Sequence, residues 1–149
     1  MKISNREQSK RIKRGFNLGV VILLLPALFF VWKEMDLAAI INAGVLVLYI
    51  VGFHFVGLNY IEYDSDGDLL RVRYYPIISF FNREYSSIEF RKELLYQAEV
   101  KKTFLFFDLY LAVKTRKGIA EYPELSLAAL NKNSIRAMQN DLVELSPKK

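Results

Sequence analysis

The single histidine is the side chain in this sequence most suited to proton transfer or to binding a haem iron. His54 lies inside a long apolar run that contains no Asp, Glu, Lys or Arg, so it has no relay partner nearby. Asn17 lies in the preceding apolar run, at a similar distance from its end. The pattern therefore favours an intramembrane polar pair, Asn17 with His54, bonded across two helices.

Alternating acidic residues after the second apolar run could bind calcium through carboxylate oxygens. They are Glu62, Asp64, Asp66 and Asp68. If Gly67 took the glycine position of an EF-hand loop, Arg73 would stand where a bidentate glutamate is required, so the calcium interpretation fails. The dipeptide of Asp66 and Gly67 is instead typical of a tight β-hairpin turn.

Basic residues in the second half of the chain could recognise the phosphate of an anionic lipid headgroup. We expect them on adjacent strand ends, and they are Lys101, Lys102, Lys114, Arg116 and Lys117. An anionic-lipid sensor at the membrane surface is therefore one functional hypothesis. The alternative for these residues is an ordinary solvated turn.

No motif of an enzyme active site occurs in the sequence. Cysteine is absent, which excludes thiolate metal sites and cysteine nucleophiles, and glycine-rich phosphate loops and nucleophile elbows are missing. We therefore expect no catalytic activity, no cofactor, no metal and no small-molecule substrate. The net charge of +5 comes from residues 1–14, while the chain from Asn59 onward is nearly neutral, so nucleic acid is not expected as a partner.

Two apolar runs, residues 15–32 and 37–58, must position the polar residues described first. At about 1.5 Å per residue, each run can cross a hydrocarbon layer of about 30 Å. The link of residues 33–36 allows only a tight turn, which predicts a helical hairpin in a membrane. A second run follows at once and a small-residue cleavage site is missing, so a retained helix is favoured over a signal peptide.

The distribution of basic residues predicts the orientation of this hairpin. Residues 1–14 are rich in Lys and Arg, whereas the turn holds only Lys33. The positive-inside rule then places both termini in the cytoplasm and the protein in the cytoplasmic (inner) membrane as a multi-pass protein. Three parts follow: a basic cytoplasmic segment 1–14, a transmembrane hairpin 15–58, and a cytoplasmic domain 59–149.

The domain 59–149 reads as antiparallel strands followed by one helix. A two-residue turn at Asp66 and Gly67 pairs Tyr63 with Leu70, Ile61 with Val72 and Glu62 with Arg71, with the apolar residues on one face. Further strands are predicted at 77–85 (a short edge), 87–91, 95–100, 104–114 and 119–122. A helix is expected to begin at Asn133 or Ser134 and to end at Leu145, with an apolar stripe at i, i+3 and i+7.

Two surfaces are left without a partner in this layout. Asn42 lies deep in the second apolar run and has no polar match in the first. Phe104, Phe106 and Tyr110 lie on the face of their strand opposite the apolar core stripe. Besides the lipid bilayer itself, we therefore expect another membrane protein, or a second copy of this chain, as partner.

The order of elements resembles that of bacterial membrane proteins with two transmembrane helices and a pleckstrin-homology (PH)-like domain. The pattern that carries the resemblance is Tyr63-x-x-x-Gly67, Tyr85-x-x-Ile88 and Leu130-x-x-x-Ser134-x-x-x-Met138-x-x-x-Leu142. The resemblance implies a membrane α-helical hairpin plus an α+β soluble domain, the latter a PH-like antiparallel β-barrel or sandwich of about seven strands capped by a C-terminal helix. It also implies a non-enzymatic interaction or scaffold role, for example as an accessory subunit of an inner-membrane complex.

Overall fold

Two long antiparallel helices open the chain in the computed structural model, which describes residues 1–79, 85–103 and 106–146. Helix α1 spans Arg6–Trp32 and helix α2 spans Asp36–Phe55, with residues 33–35 forming the turn between them. The predicted hairpin is confirmed. Helix α1 starts before residue 15 because the basic residues preceding the apolar run are themselves good helix formers.

Most apolar side chains of this hairpin are exposed or half-buried. The buried residues of α1 are Ser9 and Phe16, and α2 has none. A core helix of a globular domain would bury at least one apolar stripe. The two helices have the length and composition needed to cross a membrane, and a bare apolar surface to place in it.

Aromatic rings hold the hairpin together near its open end. Phe16 stacks on Tyr49 with ring centroids 5.8 Å apart and meets Phe53 edge-on at 5.3 Å. The Tyr49 hydroxyl donates to the carbonyl oxygens of Gly15 and Phe16 at 3.4 and 3.5 Å. A Cβ at Gly19 would lie 2.1 Å from that hydroxyl, so only glycine permits this approach.

A short strand precedes the hairpin and belongs to the folded domain. Strand β1, Lys2–Ser4, pairs antiparallel with strand β2, Asn59–Asp64, with Ile3 opposite Tyr63. The hairpin is therefore an insertion between two neighbouring strands of one sheet. Both chain ends leave the helix pair on the same side. Strand β1 lies within residues 1–14, which were predicted as a basic segment without a strand.

The first sheet has the order β1-β2-β3-β4, with β3 at Leu69–Pro76 and β4 at Ser86–Arg91. The predicted register of the β2–β3 hairpin is wrong by two residues, because Tyr63 lies opposite Val72 and Glu62 opposite Arg73. A shift of two leaves every side chain on its predicted face. Ile61, Tyr63, Leu70 and Val72 are accordingly fully buried.

The shift comes from a connection longer than two residues. The backbone N–H of Asp66 donates to the Asp64 carboxylate at 3.0 Å, which bends the chain early, and Gly67 has a φ of 67°. Arg71 therefore does not lie opposite Glu62. It forms a bidentate pair with Glu89 on β4 instead, and both bonds are 2.8 Å long. This pairing lowers the pKa of Glu89 and raises that of Arg71.

A 3₁₀ turn at Lys92–Leu94 leads into the second sheet. Its strands are β5 at Leu95–Thr103, β6 at Phe106–Thr115, β7 at Gly118–Glu121 and β8 at Leu125–Ser126, and both β7 and β8 pair with β6. The predicted strands in this part are confirmed. Residues 77–79 are not a strand, and the rest of the predicted edge, residues 80–84, lies outside the described residues.

Helix α3, Lys132–Leu145, packs on the apolar faces of the two sheets. Its N-cap is Asn131, whose side chain accepts from the N–H of Ser134 at 2.7 Å, two or three residues earlier than predicted. Ile135, Met138 and Leu142 are buried as expected, and Leu145 packs against the core. The domain is an α+β arrangement of two four-stranded antiparallel sheets and a C-terminal helix. We call it the sheet domain.

Candidate interaction surfaces

A groove lies on the outer face of the second sheet, at the predicted partner surface. It has a volume of about 690 Å³. Strand alternation places Tyr110 and Ala112 on this outer face, because Leu109, Leu111 and Val113 point into the core. Ala112 leaves space between larger neighbours, and the lining side chains include Gln97, Lys101, Tyr110, Glu121, Tyr122 and Glu124.

Charged groups surround the tyrosine of this groove. The Lys101 ammonium lies 4.8 Å from the centre of the Tyr110 ring and 3.3 Å from the Glu99 carboxylate. A hydrogen bond to Glu124, together with desolvation, raises the pKa of Tyr110 to about 12. The phenol therefore stays protonated at neutral pH and donates to Glu124. The groove can bind an apolar side chain beside a basic one.

The other aromatic residues of the predicted partner surface have different surroundings. Phe106 lies on the same face of β6 as Tyr110 and is exposed. Phe104 lies outside the described residues. Tyr110 is half-buried under its charged neighbours, so the predicted bare aromatic patch is a polar-rimmed groove with Phe106 beyond its end.

The basic residues expected on adjacent strand ends are not brought together. Lys101 lies opposite Asp108 near the start of β6, and Lys102 lies opposite Phe107. Lys114, Arg116 and Lys117 lie at the other end of β6, about 20 Å away at the usual rise of a strand. There they flank an exposed turn held by the Thr115 hydroxyl, which donates to the Gly118 carbonyl at 2.7 Å.

Asn17 and His54 are both exposed on the surface of the hairpin. The hydrogen bonds between α1 and α2 near this depth come from the Tyr49 hydroxyl. His54 lines an apolar cavity of about 520 Å³ together with Pro76, Ile78 and other residues at the end of the first sheet. The paired hydrogen bond of Asn17 with His54 stays a prediction.

Asn42 is half-buried in the hairpin. Its amide oxygen Oδ1 has no solvent exposure and no hydrogen-bond partner among the described residues. The oxygen is thus covered by its own hairpin, so a second chain would have to bond the amide nitrogen or alter the packing. The contact of Asn42 with a partner stays a prediction.

Asn5 is a structural residue that the sequence did not reveal. Its amide nitrogen donates to the carbonyl oxygens of Asn59 at 2.9 Å and of Ala129 at 3.2 Å. Its amide oxygen accepts from the N–H of Ile61 at 2.8 Å and from the Ser9 hydroxyl at 3.2 Å. Asn5 is 4% exposed, and three of the four bonds are buried, while the bond to the Asn59 carbonyl is partly buried.

These bonds join three parts of the chain, and we call them the Asn5 junction. Asn5 stands directly before α1, Ile61 lies on β2, and Ala129 precedes α3. The junction therefore fixes the start of α1 to the sheet domain. The sequence held no signal for this role, because the first helix was predicted to begin at residue 15, and the Asn5 side chain makes no helix cap.

A second buried polar contact joins the first sheet to α3. The Tyr63 hydroxyl donates to the Asp141 carboxylate at 2.5 Å. Burial, together with this hydrogen bond, raises the pKa of Tyr63 far above its ordinary value. The phenol is therefore always protonated at physiological pH and always a donor to Asp141.

Comparison with protein-family models, with curated proteins and with solved structures finds no match to this chain.

Proposed function

We propose that this protein is a non-enzymatic, membrane-anchored interaction module of the cytoplasmic membrane, whose sheet domain binds a segment of a partner protein. The groove around Tyr110 is the observation that carries the proposal. Its lining combines two tyrosines with Glu121 and Glu124, whereas Lys101 is already paired with Glu99. Such a lining suits a partner segment in which an apolar side chain neighbours a Lys or Arg.

The fold that we propose for the sheet domain is PH-like. Two four-stranded antiparallel sheets with a terminal helix against their apolar faces support this assignment. The transmembrane hairpin then occupies the connection between the first two strands. Domains of this kind bind peptides along sheet edges and grooves, in keeping with a scaffold or an accessory subunit of an inner-membrane complex.

The Asn5 junction suits this role. It fixes the orientation of the sheet domain relative to the membrane helices, so the groove is presented at one height and in one direction. Gly57, just after α2, lies close to Ser126 on β8: a Cβ on this glycine would be 3.7 Å from the Ser126 Cβ. Strand β8 of the second sheet thus lies beside the end of α2. This part of the sheet is within reach of a neighbouring membrane protein.

A sensor for anionic lipid built on Lys101, Lys102, Lys114, Arg116 and Lys117 has less support. The two basic groups lie at opposite ends of β6. One headgroup cannot bridge about 20 Å. These residues do not form one site.

Reporter fusions test the orientation. An alkaline phosphatase fused after Lys149 should be inactive, because we place that end in the cytoplasm, whereas the same reporter fused after Met35 in the turn should be active. This placement rests on the basic residues of the N-terminal flank. It also rests on the pairing of β1 with β2, which puts both ends of the hairpin on the same side. Activity from the Lys149 fusion would contradict the proposed topology.

Site-specific photocrosslinking tests the groove. A photoreactive residue in place of Gln97, which lines the groove, should give one discrete adduct in native membranes. The same residue in place of Gln139, exposed on α3, is the matched control and should give none. The adduct mass separates a partner protein from a second copy of this chain.

Filling the groove should abolish the adduct. Ala112→Arg places a long cationic side chain in it, and Gln139→Arg makes the same charge change on α3. We expect at least about a tenfold loss of adduct with the first variant, equivalent to about 1.4 kcal/mol, and no loss with the second. Equal adducts at both positions, or a Gln97 adduct that survives Ala112→Arg, would refute the groove as the binding surface.

A further inference from the structure

We propose that a cleft between α1 and the membrane-facing end of the first sheet binds the phosphate of an anionic phospholipid. The cleft has a volume of about 230 Å³. One wall is the start of α1, the other is the pair Tyr60 and Tyr75, and the lining residues are Arg6, Ser9, Lys10, Lys13, Tyr60, Tyr75 and Ile77. The inference rests on the proposed membrane placement and is independent of the partner groove.

Three cations of α1 point into this cleft. Arg6, Lys10 and Lys13 are spaced i, i+4 and i+7, which puts them on one side of a helix. Arg11 and Arg14 belong to the same turns of α1 but do not line the cleft, although Arg14 follows Lys10 by one turn. The cleft is therefore one selected part of the basic flank.

The charges in the cleft are poorly neutralised by the protein itself. No carboxylate is among the described residues that line it. Lys10 pairs with Glu7 at 3.0 Å on the exposed surface of the helix. Neither Arg6 nor Lys13 forms a salt bridge within the described part of the chain, so both are available to an anion.

The opposite wall is rigid and aromatic. The rings of Tyr60 and Tyr75 stack with centroids 4.6 Å apart, and Tyr85 meets Tyr75 at 4.9 Å. The Tyr60 hydroxyl lies 3.2 Å from the Ser4 hydroxyl, which holds this ring against β1. Tyrosine is well suited to a membrane interface, because its ring is apolar and its tip is polar.

The cleft lies at the height of lipid headgroups. Along α1, Lys13 and Lys10 stand about 3 and 8 Å outside the apolar run that begins at residue 15. The headgroup layer is about 5–8 Å thick on each side of the hydrocarbon core. From the other wall, Ile78 and Ser79 share an apolar cavity with Ile50 and Phe55 of the last turns of α2.

The positions of the cations on α1 and of the segment that follows Tyr75 indicate the same depth in the membrane. The chain segment that follows Tyr75 reaches the level where α2 leaves the apolar layer, while the cations of α1 stand just above that layer. A lipid beside α1 can therefore keep its acyl chains against the hairpin while its phosphate enters the cleft. Charge-assisted hydrogen bonds from lysine and arginine to phosphate are the expected contacts.

Native mass spectrometry of the full-length protein tests the site. The protein is released from nanodiscs of phosphatidylcholine mixed with phosphatidylglycerol, and the retained lipids are counted. We expect one phosphatidylglycerol to be retained in preference to phosphatidylcholine. The double variant Lys10→Gln with Lys13→Gln should weaken this retention about 30-fold, which corresponds to about 1 kcal/mol for each basic residue.

The matched control is Arg11→Gln with Arg14→Gln, which removes the same charge from the same helical turns. It should change retention by less than about threefold. Equal losses in the two double variants would mean a diffuse basic flank and would overturn the cleft. Displacement of the lipid by millimolar inorganic phosphate would reassign the site to a soluble anion and overturn the lipid.

The outcome is separable from that of the proposed function. If only the groove proposal is wrong, the Gln97 adduct is absent and the lipid is still retained. Absent lipid preference with an intact Gln97 adduct removes only the cleft.

Discussion

Val72→Asp is expected to unfold the sheet domain. Val72 is fully buried between its neighbours on β2 and β4, opposite Tyr63 and Ile88. A carboxylate there has no cation within the core, and an unpaired buried charge costs at least about 3 kcal/mol. Thermal denaturation in detergent, followed by near-ultraviolet circular dichroism of tyrosine, measures the loss. Every tyrosine except Tyr49 lies in the sheet domain.

Leu69→Asp is the control for this substitution. It introduces the same side chain three positions earlier on the same strand, but Leu69 is 38% exposed and lies opposite Arg91. The melting temperature should change little, because the new carboxylate faces solvent and a cation. If Val72→Asp melted like Leu69→Asp, the observed faces of β3 would be wrong.

Asn5→Ala is expected to loosen the helical hairpin from the sheet domain. The substitution leaves the N–H of Ile61 and the carbonyl oxygens of Asn59 and Ala129 without their buried partner. Each unsatisfied buried group costs about 1–3 kcal/mol, so a total of about 3 kcal/mol or more is expected. The same melting experiment measures it. Hydrogen exchange at the Ile61 amide should accelerate at least about tenfold.

Two further variants test whether the effect comes from the hydrogen bonds of the Asn5 side chain. Asn5→Asp keeps the shape but cannot donate to the two carbonyl oxygens, so it should also destabilise strongly. Ser4→Ala, one residue earlier and exposed, removes only the contact with Tyr60 and should melt nearly like the wild type. Unchanged Ile61 exchange in Asn5→Ala would show that the junction does not hold the two parts together.

Features set by local pattern could be predicted from the sequence. The helix pair follows from two uncharged apolar runs with a short link, and the faces of β3 follow from the alternation of Leu70 and Val72 with Arg71 and Arg73. The stripe of Ile135, Met138 and Leu142 predicted the buried face of α3. In each case the signal lies within one stretch of about twenty residues or fewer.

Features set by distant contacts could not be predicted. Strand β1 has three residues and no apolar pattern of its own, and it exists because β2 offers a free edge beside it. Asn5 bonds residues that follow it by 56 and 124 positions. The hairpin register depended on one hydrogen bond of the Asp64 side chain that makes the turn longer.

In the candidate sites, too, local features could be predicted and features that depend on distant contacts could not. Tyr110 was predicted on the outer face of its strand and Glu121 on the strand that returns beside it, but the groove also depends on Glu124, whose loop was not placed there. The two basic groups on β5 and beyond β6 were expected together, although strand length sends them to opposite ends. The cleft at Lys10 and Lys13 needs the first sheet beside α1, and local sequence does not contain that information.

The insertion of the hairpin between β1 and β2 sets the order of events during synthesis. Strand β1 is synthesised before the hairpin, and its partner strand β2 follows only after both α1 and α2 have been made. Until then the pairing of β1 with β2 cannot form, and a fragment that begins at Asn59 leaves that edge of β2 open to other chains. In the proposed membrane placement, completion of the sheet domain thus depends on both arms of the hairpin returning to one side of the bilayer. A version without the hairpin would have to join residue 5 to residue 59 directly. Its sheet domain would then form without waiting for the two helices.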